Sequence, residues 1–251
     1  MRIILTNDDG FDAPGIAAMA KALTGAGHEV RVSAPDRENS AVSHGISITR
    51  PLRARKVTVE GCPGWGVDGT PTDAARLGLH LLKDWQPEFC VSGVNRGPNL
   101  GGACIYSGTV NSAMEASMAG CPALAVSLDS FTCERYAPAA DLAVKVLAWM
   151  KDHPLRRGEI YNLNVPAIED VKGVRFTQTL APEFLTDANY QEFTSHYNNT
   201  YSFLDDGENP HYFPEDCDKN LVKQGCASLS ALTWDIAARR EGLPEAGEIS
   251  L

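Results

Sequence analysis

The chain predicts an α/β protein built on a mostly parallel, doubly wound sheet. Three observations carry that expectation. Strand-like apolar runs alternate with helix-like periodic segments along the first two-thirds of the 251 residues. The runs are short, and those at Arg2–Thr6 and Phe89–Val94 are apolar enough for strands covered on both faces. Each is followed by a turn rich in Asn, Asp, Ser, Pro or Gly, the pattern of βαβ units whose loops gather at one edge.

Taken in order, Arg2–Thr6 is an isoleucine-rich run suited to a buried strand. Pro14 fits a first helical position, and Ile16, Met19, Ala20 and Leu23 recur at helical spacing up to Gly25. Glu29–Ala34 returns to strand, and Ile46–Val59 alternates like a hairpin or an extended pair. Thr72–Lys83 reads as a helix with Ala75, Leu79 and Leu82 on one face, and Phe89–Val94 as a second buried strand. Thr109–Met118 is a helix stopped at Gly120, Ala123–Leu128 a strand, and Ala137–Lys151 a helix with Leu142, Val146 and Met150 in register. The pattern changes after about Ile160. Tyr161–Val165 and Val174–Thr179 are strand-like, whereas Asn198–Asp218 is polar. Asp205, Asp206, Glu208, Glu215, Asp216 and Asp218 fall in that window, which reads as a solvated loop or an arm against another subunit rather than a metal site. Ser228–Ile236 alternates again and returns as a strand. The expected division is a core over 1–165 and an extension over 166–251.

Composition narrows the function. Lysine and arginine number 22 against 32 acidic residues, a formal charge of −10, and 43% of the chain is hydrophobic. An acidic surface disfavours nucleic-acid polymers and anionic membranes, while a bound cation can reverse the field locally for a small anionic substrate. The start MRIILTNDDG is neither a signal peptide nor an anchor, and no apolar stretch reaches the ~18 residues of a membrane span. Seven cysteines without a C-x-x-C pair read as free thiols in a reducing cytoplasm.

In open α/β sheets ligands bind beyond the carboxyl ends of the strands. Asn7-Asp8-Asp9-Gly10 follows the first strand, Ala34–Ser40 the second, and Ser92–Asn99, running on to Ser107-Gly108-Thr109, the strand at Phe89. Two adjacent carboxylates at a buried strand end repel and raise each other's pKa unless a cation neutralises them. Hard divalent ions take oxygen ligands, and Asp8, Asp9, Ser40 and Asn95 supply two carboxylates, a hydroxyl and an amide. An Asx turn is the simpler alternative for Asp-Asp-Gly. Gly97, Gly101 and Gly102 let backbone N–H groups turn toward an anion, and Ser107–Thr109 opens a helix whose dipole favours phosphate. Arg96 can pair with a phosphate oxygen. A structural loop ending in a Ser/Thr N-cap explains the same stretch without a ligand. Neither a Walker loop nor a dinucleotide fingerprint is present.

NDDG, APDRENSAVSHGISIT, GTPTD, SGVNRGPNLG and YSGTVNSAMEA, in this order, resemble the SurE (survival protein E) family. The resemblance runs from Met1 to about Val165. It implies a Rossmann-like fold with a C-terminal extension exchanged between subunits of a homodimer or homotetramer. It also implies a metal-dependent phosphatase of nucleoside 5′- or 3′-monophosphates, with Mg²⁺ or Mn²⁺ on Asp8, Asp9, Ser40 and Asn95. Its phosphate segment maps onto Gly97, Asn99, Ser107, Gly108 and Thr109, beside Arg96. His44 joins Asp8, Asp9 and Asn95 as a catalytic candidate, either protonating the leaving oxygen or binding phosphate; a solvated loop histidine is the alternative. Cys104 reads as a small filler; Asp68–Asp73 reads by itself as a turn with Thr70 or Thr72 capping a helix, while the resemblance implies a place near the site and a substrate role. Hydrolysis by a metal-activated water is the expected mechanism. A covalent aspartyl-phosphate, a non-hydrolysing nucleotide-binding regulator and a purely structural protein are the rivals.

Overall fold

The computed structural model describes residues 1–181, 189–196, 200–205 and 213–235. Among these residues eleven strands and five α-helices follow one another. They are β1 (Arg2–Thr6), α1 (Pro14–Gly25), β2 (Glu29–Pro35), β3 (Ala54–Val59), β4 (Cys62–Val67), α2 (Pro71–Leu81), β5 (Phe89–Arg96), a short 3-10 helix (Gly101–Ile105), α3 (Gly108–Met118), β6 (Ala123–Asp129), α4 (Ala137–Met150), β7 (Glu159–Pro166), β8 (Val174–Thr177), β9 (Asn189–Thr194), β10 (Thr200–Asp205), α5 (Asp218–Lys223) and β11 (Ala227–Thr233).

Nine strands form one sheet in the order β3-β4-β2-β1-β5-β6-β7-β11-β8. From β4 to β7 every neighbouring pair is parallel. Within this sheet, among the described residues, β3 on β4 and β11 on β7 are the antiparallel pairs. The expected mostly parallel, doubly wound sheet is what forms. Its core explains why β1 reads as continuously apolar. Ile3 and Leu5 pack with Ile16, Met19 and Leu23 of α1 and Leu147 of α4, whereas Ile4 faces Ala113 and Met114 of α3. Side chains alternate across a strand, so helices on both faces demand an apolar residue at every position. Each such side chain contributes about 1.5–3 kcal/mol relative to exposure. Among the described residues no helix is long and apolar enough to cross a membrane.

Two expectations need correction. The alternating stretch from Ile46 yields a strand only over Ala54–Val59, and its hairpin partner is Cys62–Val67. Glu60 and Gly61 turn between them, both with positive φ, matching the right-handed twist of a two-residue hairpin. Pro63, Gly64 and Gly66 disguise β4, because glycine and proline are poor strand formers. Gly64 is there for space: a Cβ would lie 2.1 Å from the Val32 carbonyl oxygen on β2. Gly64→Ala is therefore expected to lower the thermal midpoint by roughly 4–10 °C. Calorimetry of the variant checks this, and an unchanged midpoint would refute so close a β2–β4 approach.

In the acidic window the correction concerns Asp218 alone. Residues 197–199 and 206–212 lie outside the described residues, so the expectation of an arm there has nothing to set against it. What is described is ordered structure: β10 pairs antiparallel with β9, and Asp218 opens α5 fully buried rather than solvated. The returning strand forms as expected, and β11 inserts between β7 and β8 in the main sheet.

Candidate active site

Strand order reverses at β1, which has β2 on one side and β5 on the other. The crevice beyond such a switch point is where loops part and a ligand can enter. Asn7, Asp8 and Asp9 leave β1 there. Asp8 is 6% exposed. Its backbone oxygen accepts from Asn39 N at 2.8 Å, which ties the β2 loop to the β1 end. Its carboxylate lies at the start of α3 and accepts from both the hydroxyl and the backbone N–H of Thr109. Ser107 caps α3 by accepting from Val110 N at 3.1 Å. Gly108 makes the approach possible, since a Cβ there would fall 2.7 Å from Asp8 Cβ and 2.8 Å from Pro71 Cγ. Asp9 accepts from Arg96 N at 3.1 Å, joining the β1 and β5 ends. A cleft of about 250 Å³ lies beside it, lined by Asp9, Pro14, Glu38, Arg96 and Tyr136 among others.

Burial pushes the Asp8 carboxyl up to about 6; Thr109 opposes this through its hydrogen bond, and the neighbouring Asp9 charge adds to it. Asp9 is also raised, by burial first, with Arg96 opposing. The direction matches the expectation, but the main cause is loss of water rather than mutual repulsion. Two carboxylates held in this way fit a cation. Asn7, fully buried beside them, adds a side-chain oxygen with no hydrogen-bond partner. Among the described residues no three His, Cys, Asp or Glu stand together in a metal-binding group. A cation here would thus rest on two carboxylates and neutral oxygens, the preference of Mg²⁺ and Mn²⁺.

The remaining candidates fall into two groups. Asn95 donates its amide nitrogen to Gly97 O at 2.9 Å, which fixes the orientation of the amide. Ser40 is exposed, and its hydroxyl donates to Glu38 at 2.9 Å; the same carboxylate oxygen takes the Arg96 guanidinium at 3.2 Å. Glu38 was not singled out from the sequence, although it stands in the same loop. Asn99 turns inward, its amide on Ser127 Oγ at 2.8 Å and its backbone N–H on Asn164 Oδ1 at 2.7 Å. His44 is not in hydrogen-bond contact with the aspartates. It meets Glu115 at 3.0 Å, and Arg76 shares that carboxylate at 3.4 Å. Thr70 caps α2 in a capping box with Asp73 and donates to Gly45 O, so GTPTD anchors the His44–Ser47 segment. Cys104 is buried, its thiol pushed up to about 12 chiefly by burial, and it donates to Asn99 O at 3.2 Å.

Comparison with known proteins bears on this site. The family model for survival protein SurE matches residues 3–184. The chain belongs to the SurE family. A 5′-nucleotidase SurE from Thermosynechococcus vestitus is 38% identical over 246 residues, 94% of this chain and 92% of that protein. One from Nitratidesulfovibrio vulgaris is 42% identical over 94% of this chain and 87% of its own length. The crystal structure of the SurE protein from Aquifex aeolicus superposes with a TM-score of 0.82 at 30% identity, covering 94% of this chain and 95% of that one. The SurE resemblance noted in the motifs therefore extends well beyond Val165 into the tail.

Proposed function

We propose that this chain is a metal-dependent nucleotidase, hydrolysing nucleoside monophosphates to nucleoside and phosphate. One observation carries the reading: a buried Asp8 beside a half-buried Asp9 at the strand switch point, both carboxyls raised chiefly by loss of water, with Asp8 against the first turn of α3, in a chain of the SurE family. Its relatives are named 5′-nucleotidases.

Asp8, Asp9 and Asn95 would hold the cation, with Ser40 joining once its hydroxyl leaves Glu38. When bound, a cation of the Mg²⁺ or Mn²⁺ kind supplies charge neutralisation at the phosphoryl oxygens and acidifies water. The protein does the rest. Thr109 orients Asp8 by donating to it. The N–H groups of Gly97, Asn99 and Gly101 are taken by Leu128 O, Asn164 and Asp218 and fix the loop's shape. Those at the start of α3, at Ser107 and Gly108, would face the charge that redistributes over the phosphoryl oxygens. Arg96 reaches an oxyanion by exchanging Glu38 for it. His44, paired with Glu115, supplies a proton to the leaving oxygen only by leaving that carboxylate. A homodimer or homotetramer and a cytoplasmic location belong to the same proposal.

The expected result is steady phosphate release from AMP or GMP with Mn²⁺ or Mg²⁺, lost in EDTA and restored by the metal. Tight nucleotide binding without turnover would instead identify a regulator.

A further inference from the structure

The glycine-rich segment is held by a carboxylate from far along the chain. Asp218 is 0% exposed, at the first position of α5. Its Oδ2 accepts from Gly101 N at 2.6 Å, and its Oδ1 accepts from Ala181 N and Lys219 N, both at 2.8 Å. The bond to Lys219 is local to α5; the bonds to Gly101 and Ala181 are not needed to start a helix. Gly101 adopts φ +53°, and a Cβ there would lie 2.2 Å from Ala181 O, so the two segments are pressed together around the carboxylate. Two residues earlier, Asn99 O accepts from Asn162 Nδ2 at 2.9 Å and Asn164 Nδ2 at 3.0 Å. Hydrogen bonds to a charged acceptor are about twice as strong as neutral ones, so among these contacts Asp218 exerts the strongest hold.

We propose that Asp218 is a positioning residue: it shapes the segment between Asn99 and Ser107, so the phosphate-receiving loop is completed by the region beyond the first 165 residues. This rests on the nucleotidase reading above. A loop fixed beforehand in its binding shape loses no ordering entropy when phosphate arrives, which links a buried bond at Gly101 to substrate affinity.

Asp218→Asn tests it in the full chain with Mn²⁺. The amide keeps the volume but turns one acceptor oxygen into a donor facing a backbone N–H. The KM for AMP is expected to rise at least ~10-fold with a smaller fall in kcat. Exchange of the Gly101 amide hydrogen is expected to quicken at least ~10-fold. Leu147→Ala, which opens a cavity under α4, is the control for lost stability alone; there KM and Gly101 exchange should stay at the parent value. A KM unchanged in Asp218→Asn, or shifted no more than in Leu147→Ala, overturns the proposal, as does unchanged exchange at Gly101. If Asp218→Asn does not fold, Gly101→Ala disturbs the same junction through Ala181 O, and parental KM and kcat there overturn it equally. No phosphate release from the parent chain would sink the nucleotidase reading, and this proposal with it.

Discussion

Asp8→Asn is expected to cut phosphate release by ~10³-fold, about 4 kcal/mol of transition-state stabilisation, while making the metal-free protein more stable. Both effects come from one buried carboxylate. In the folded, metal-free chain the Asp8 carboxyl is raised from 3.8 to about 6. The folded state thus holds this proton more tightly than the unfolded chain does. The stability it contributes is fully present below about pH 3.8 and is lost as pH rises through about 6. Above that the metal-free protein carries a penalty of about 3 kcal/mol, which asparagine does not. A cation that binds the carboxylate offsets the penalty, adding about 2.7 kcal/mol at a hundredfold excess over its Kd. Thermal unfolding at pH 8 checks the sign. In EDTA the variant should melt above the parent, and added Mn²⁺ should raise only the parent. A variant that melts lower in EDTA would mean that the Thr109 hydrogen bonds outweigh burial.

Gly108→Ala has the second largest effect. Alanine is the better helix former by about 1 kcal/mol, so on local grounds this change at the start of α3 should stabilise. The surroundings reverse that. The new methyl would lie 2.7 Å from Asp8 Cβ, 2.8 Å from Pro71 Cγ and 3.0 Å from Asp8 Oδ2. A Cβ and a proline ring cannot swing aside as the end of a flexible side chain can. Either α3 or the β1 end must shift, at about 1–3 kcal/mol. Displacement of about 1 Å at reacting groups lowers kcat/KM by about 100-fold. Steady-state kinetics and a melting curve test both parts. A variant with parental kcat/KM and a raised midpoint would show that Asp8 and α3 are not in contact during turnover.

The aspartate pair was legible because adjacency, a following glycine and a preceding buried strand are all local features. Asn162 and Asn164 also left a signal, since two amides at alternate positions interrupt an otherwise apolar strand, but nothing local says which loop they hold. His44 and Glu115 stand 71 positions apart, so their pairing could not be read from either neighbourhood. Ser40 and Arg96 share Glu38 for the same reason: the β2 and β5 loops become neighbours only when both strands flank or adjoin β1. Asp218 was the hardest to read. Its acidic neighbours made it look solvated, whereas the fold buries it against the Gly101 and Ala181 backbone.

Periodicity, turn residues and the order of polar strand ends are properties of the string. They were enough for the doubly wound sheet and for the edge where the chemistry gathers, because period two and period 3.6 reflect local backbone geometry. The source of the carboxylate strain, the partners of His44 and Ser40, and the hold of Asp218 on Gly101 arise only on folding. Dehydration and hydrogen bonding depend on which distant segments exclude water around a group, and that is a property of the packed structure.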